Sequence, residues 1–179
     1  MSRFILYRPS PDDVAEAFRR SQAMGVLPNS LTRGSGRMAG FLGEVAFENT
    51  YGGKYVGDKS FTHDYEIKGK TVDVKAKICS TKPLPHYMTS VFSSPDKDLP
   101  ADIYFFARVM KDWSKVWLVG WAPASRIMKP EYYKKKGESD DCGFTFLGNG
   151  YHLPINRTLR PDSFLVDNRR DRRAAKKKG

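Results

Sequence analysis

Cysteine, histidine and long apolar runs are all scarce in this chain. Cys79 and Cys142 are the only cysteines among 179 residues. Two are too few for a disulfide framework, and they are not spaced as a zinc finger. Both are expected as free thiols in a reducing compartment. His63, His86 and His152 have no metal-ligand spacing and form no His-Asn-His arrangement. The amino-terminal "MSRFILYRP" offers only Phe4 to Tyr7 as an apolar run, bracketed by Arg3 and Arg8. That run is too short for a signal-peptide core and far too short to span a bilayer. A cytoplasmic protein without a membrane partner is expected. The glycines of "RGSGRMAG" (Gly34, Gly36 and Gly40) are spaced neither as a P-loop nor as a dinucleotide fingerprint. No segment repeats.

What is present suits a packed globule. Hydrophobic residues make up 40% and aromatic residues 13%, enough for one domain with a real core over residues 1–166. Lysine and arginine outnumber the acids 31 to 20, a formal +11. Such a surplus favours a polyanionic partner, nucleic acid ahead of an anionic membrane. Residues 167–179 concentrate it: Arg169, Arg170, Arg172, Arg173 and Lys176 to Lys178 stand against Asp167 and Asp171. With no aromatic or β-branched residue, this stretch is expected to be a disordered basic tail that touches phosphates.

The first half predicts two helices and a hairpin. Ser10 caps a helix with Pro11 in its first turn, an apolar stripe of Val14, Ala17 and Phe18, and Gly25 as terminator. After a loop, "AGFLGEVAFENTYGG" reads as a second, heavily buried helix. Strands follow at "ADIYFFARV" and "KVWLVGWAP", which place Trp117 and Trp121 in the sheet or core. A short helix is expected over 123–136, and irregular strands after it.

"HDYEIKGKTVDVKAK", residues 63–77, carries the chemistry. Lys68-Gly69 is a good two-residue turn, which pairs Ile67 with Lys70, Tyr65 with Val72 and Asp64 with Asp73. Alternation then puts Tyr65, Ile67, Val72, Val74, Ala76 and Ile78 on a core face. Asp64, Asp73, Lys75 and Lys77 share the opposite face, open to solvent. Carboxylates directly opposite one another repel. A divalent cation would compensate them, with Lys75 beside it to meet a phosphate oxygen or the attacking water. An ordinary charged hairpin is the plain alternative.

In this order of elements the chain resembles the PD-(D/E)XK nuclease superfamily, in which a helix glutamate, a strand aspartate and a D/E-x-K triplet gather. "GFLGEVAFE" supplies Glu44, or Glu48 one turn on; "HDYEI" supplies Asp64; "VDVKAK" supplies Asp73 and Lys75. The proline of the motif is replaced by His63. The resemblance implies an α/β fold with a restriction-endonuclease-like core, a mixed central sheet flanked by helices. It implies Mg²⁺ or Mn²⁺ held by Asp64, Asp73, the Val74 carbonyl and Glu44. It also implies hydrolysis of phosphodiesters, in DNA first of all, to 5′-phosphate and 3′-hydroxyl ends. Arg33, Arg37 and Lys77 are expected to contact the nucleic acid near the site. Monomer and homodimer both remain open. The competing reading is a nucleic-acid-binding protein on the same fold without catalysis.

Overall fold

The computed structural model describes residues 3–23, 35–57, 60–141 and 143–164. Gly25, Arg33, Cys142 and the tail with Arg169, Arg170, Arg172 and Arg173 lie outside these residues. The elements run β1 (Ile5–Tyr7), α1 (Pro11–Ala23), α2 (Ser35–Tyr51), β2 (Lys54–Tyr55), β3 (Tyr65–Ile67) and β4 (Lys70–Cys79). They continue with β5 (Met88–Phe92), β6 (Ile103–Met110), β7 (Val116–Pro123), α3 (Ala124–Ile127), β8 (Tyr133–Lys134) and β9 (Gly150–Pro154). No helix among the described residues is long and apolar enough to cross a membrane.

A capping box starts α1. The Asp13 N–H donates to Ser10 Oγ at 3.2 Å, and the Ser10 N–H donates to the Asp13 carboxylate at 2.7 Å. The inward stripe differs from the expected one. Ala17, Arg20 and Ser21 are buried, whereas Phe18 is 57% exposed over an open hollow of about 680 Å³ that it shares with Met38 and Trp113. Arg20 takes the inward position because it has partners there. As its composition predicts, α2 is buried through Phe41, Leu42, Val45, Ala46 and Phe47.

The hairpin pairs as the turn predicts for Tyr65 with Val72 and Ile67 with Lys70, but the ladder ends there: Asp64 is not paired with Asp73, and its N–H turns to the Val72 carbonyl. Lys68 and Gly69 have φ of 49° and 74°, the two left-handed residues of a turn whose twist matches its strands. The main sheet runs β1-β7-β6-β4-β3-β2. Only β4 and β6 pair in parallel, so the sheet is mixed. A second sheet, β5-β9-β8, was not legible in the sequence.

These elements form three layers. Phe105, Ala107 and Val109 of β6 face the helices, with Val72, Val74, Phe41 and Phe47. Tyr104 and Phe106 face the small sheet, with Val91, Tyr151 and Leu153. A shift in β6–β7 pairing skips Val119 between Leu118 and Gly120. Strand parity therefore inverts, and Trp117 and Trp121, four apart, enter opposite cores. Gly43 lets α2 settle onto β4, since a Cβ there would stand 2.7 Å from the Ala76 Cβ.

Two expectations need correction. Helix in residues 123–136 is limited to α3 and a 3-10 turn at Pro130–Tyr132, after which the chain enters β8, because a proline disfavours helix at the residue before it and Lys129 is extended. Ile78 is 41% exposed instead of in the core; α2 covers β4 at Ala76, and the strand emerges beyond it.

Candidate active site

The site forms where β3 ends and β4 continues. The Asp64 N–H donates to the Val72 carbonyl at 3.0 Å, the last rung of the hairpin. Two residues on, the Val74 N–H faces the same vacated edge, and Asp64 Oδ2 accepts from it at 2.7 Å. A carboxylate thus stands in for the missing strand. By strand alternation the Val74 carbonyl opens onto this edge too.

Asp73 does not lie on a solvent face. It is only 7% exposed, flanked by the buried Tyr104 of β6 and covered by the Lys75 side chain. Lys75 places Nζ 2.7 Å from Asp73 Oδ2 while its side chain stays 44% exposed. Glu44 arrives from α2, buried, and its Oε2 has no hydrogen-bond partner among the described residues. Burial and then the charge of Asp64 raise the Glu44 carboxyl well above the ordinary range. Burial and the Asp73 carboxylate push Asp64 up to about 7, against the opposing pull of the Val74 N–H and Lys75. Burial alone would depress Lys75, but Asp73 and Asp64 outweigh it and hold the ammonium protonated. Arg20 and Lys75 offset only part of the upward push on Glu44.

Glu48 is occupied elsewhere. Its Oε2 accepts from Arg20 Nη2 at 2.8 Å and from the Tyr65 hydroxyl at 3.1 Å. Arg20 also donates to Glu16 at 2.8 Å and to the Tyr65 oxygen at 3.2 Å. Of the two candidate helix acids, Glu44 is therefore the one the structure brings to Asp64 and Asp73. Arg20 was not singled out in the sequence, where it reads as one of a pair of surface arginines.

The expected phosphate contacts divide. Arg37 is half-buried in the first turn of α2 and borders the hollow, which none of the three carboxylates lines. Lys77 is half-buried and turned toward β5, donating to the Met88 carbonyl at 3.1 Å and to Ser90 Oγ at 2.5 Å. His63 is held by Thr62, Oγ1 to Nδ1 at 2.9 Å, beside the site and outside the cluster.

The donor set suits a hard divalent ion. Among the described residues no three Asp, Glu, His or Cys side chains are drawn together closely enough to hold one alone. Mg²⁺ and Mn²⁺ take hard oxygen ligands, and Mg²⁺ is usually bound through one or two carboxylates while retaining several waters. Asp64, Asp73 and the Val74 carbonyl meet that demand, and the orphaned Glu44 Oε2 offers an acceptor to a bound water. No protein-family model matches the chain, and no curated protein matches it significantly.

Proposed function

We propose that this chain is a metal-dependent nuclease acting on DNA, with its mixed sheet and two long helices forming a restriction-endonuclease-like core. One observation carries the reading: Glu44 is buried with an oxygen that has no partner among the described residues, within electrostatic reach of the carboxylates of Asp64 and Asp73. Buried charge without compensation is costly, and such groups mark functional sites.

Mg²⁺ or Mn²⁺, when bound, would polarise the scissile phosphate and lower the pKa of a water. Asp64 and Asp73 would hold the ion with the Val74 carbonyl, and the unpartnered Glu44 oxygen would accept a hydrogen bond from a water. The Val74 N–H fixes the Asp64 carboxylate in place before any ligand arrives. Lys75, kept protonated by Asp73, donates toward a phosphate oxygen or the attacking water and offsets negative charge growing in the transition state. As a cation it cannot act as the base. The products are a 5′-phosphate and a 3′-hydroxyl.

The test is incubation of pure protein with circular single-stranded and supercoiled DNA in Mg²⁺, Mn²⁺ or EDTA. Cutting in either metal and none in EDTA is the expected result. Binding without cutting in every condition would favour a non-catalytic nucleic-acid-binding protein.

A further inference from the structure

Lys77 and Arg108 stand side by side across the parallel pair β4–β6. Arg108 is 9% exposed, and neither cation has a carboxylate partner among the described residues. Both donate to a single acceptor, the Met88 carbonyl, at 3.1 and 2.6 Å. Lys77 also donates to Ser90 Oγ, whose own oxygen lies 2.7 Å from His152 Nδ1. Burial, then Arg108, lowers Lys77 to about 7, and burial, then Lys77, lowers His152 to about 4. With Lys77 donating to Ser90 Oγ, the Ser90 hydroxyl can donate to His152 in the tautomer that leaves Nδ1 unprotonated.

Two adjacent cations without an anion are as unbalanced as the acids beside them. Lys77 follows Lys75 by two residues on one strand face, an advance of about 6.6 Å, comparable with one nucleotide step of an extended strand. Aromatic rings rim the cluster. The Phe144 ring centre lies 6.0 Å from Lys77 Nζ, and Phe92 packs edge-on to His152 at 6.1 Å. Phe144 is 45% and Phe92 51% exposed, unusual for rings with core strands at hand.

We propose that Lys77, Arg108 and Ser90, rimmed by Phe92 and Phe144, form a subsite for one nucleotide of a single-stranded nucleic acid. The cations take its phosphate and a ring stacks on its base, the combination by which single strands are held without sequence preference. The nuclease reading supplies only the identity of the neighbouring phosphate, at Lys75. The phosphate in the subsite belongs either to a chain end or to an internal phosphodiester.

The test uses the full chain in Ca²⁺, to suppress cutting, with a short fluorescent oligothymidylate and a duplex of equal length. Wild type should bind the single strand more tightly. Phe92→Ala and Phe144→Ala should weaken that binding by roughly 5- to 150-fold per lost stack and leave duplex binding unchanged. Lys77→Met should flatten the slope of log affinity against log salt by about 0.7, one single-strand phosphate. Unchanged single-strand affinity in both phenylalanine variants, or an unchanged slope in a folded Lys77→Met, would overturn the proposal and leave the cations as struts between the sheets. If Lys77→Met does not fold, the exposed phenylalanines decide alone. Tighter binding of the 5′-phosphorylated oligonucleotide places a chain end in the subsite, and equal binding an internal phosphate; either supports it. Should wild type bind in this pattern yet never cut DNA, the nuclease reading falls and the subsite stands.

Discussion

Glu44 and Glu48 stand one turn apart on α2, and their surroundings are opposites. Glu48 belongs to a closed network in which Arg20 bridges two glutamates and the Tyr65 hydroxyl. That network lifts the Arg20 guanidinium further above its ordinary range despite burial, and holds Glu16 down to about 2 through its bonds to Arg19 and Arg20. Glu44 instead lies within reach of the Asp64 and Asp73 carboxylates; Arg20 and Lys75 offset them through space, and the Lys75 ion pair goes to Asp73. A fold that wanted only to neutralise helix acids already shows how it does so. The unbalanced cluster is thus a property of its position at the edge of β4 that β3 leaves unpaired.

The largest effect expected from breaking this contrast is on catalysis. Asp73→Asn should reduce metal-dependent cleavage by on the order of 100- to 1,000-fold while leaving the melting temperature the same or higher, because it removes one of two repelling carboxylates. Cleavage assays beside thermal melts check both halves. On the balanced side, Arg20→Met should cost on the order of 2–3 kcal/mol, less than for a fully enclosed pair because Glu16 and Glu48 are partly exposed. Urea unfolding at neutral pH measures it.

The pH dependence separates the clusters next. Asp64 has a folded pKa raised to about 7, so the folded state binds more protons than the unfolded one between about pH 4 and pH 7. Its contribution to stability is present below about pH 4 and is lost as pH rises through about 7. Mg²⁺ competes with the same proton and should raise the melting temperature more at about pH 8 than at about pH 5, by an amount that grows with the ratio of free ion to Kd. Asp64→Asn should abolish most of that difference. The smallest effects have opposite signs. Glu48→Gln should destabilise by about 1 kcal/mol, through weakened charge-assisted bonds, whereas Glu44→Gln should be neutral or stabilising by up to about 1 kcal/mol. Equal signs in denaturant titrations would erase the comparison.

Much of the site was legible because its geometry is local. A two-residue turn sets the register, alternation sets the faces, and both follow from residues 63–77 alone. What was missed depends on distant contacts. The choice between Glu44 and Glu48 turns on Arg20, which comes from another helix. Asp73 is buried beside Tyr104 of the distant β6, and the inward turn of Lys77 depends on β5 and β9, which pair Ser90 with His152 across 62 positions. Neither strand is long, and "GYHLP" holds a histidine and a proline, so neither announces itself. Phe18 was misplaced for a related reason: an apolar stripe does not reveal that a neighbouring arginine has better partners inside.

The close seat of α2 on β4 has a consequence for mutation far from any reacting group. Gly43 precedes Glu44, and its α-carbon rides over Ala76 and Ala107 with no room for a methyl group. These three small residues act as a shim that sets the gap between the helix and the strand bearing Asp73 and Lys75. Gly43→Ala would thicken the shim and lift Glu44 away from Asp64 and Asp73, although it changes no charge and removes no ligand. The machining tolerance of the site is therefore held by three side chains with no chemistry of their own.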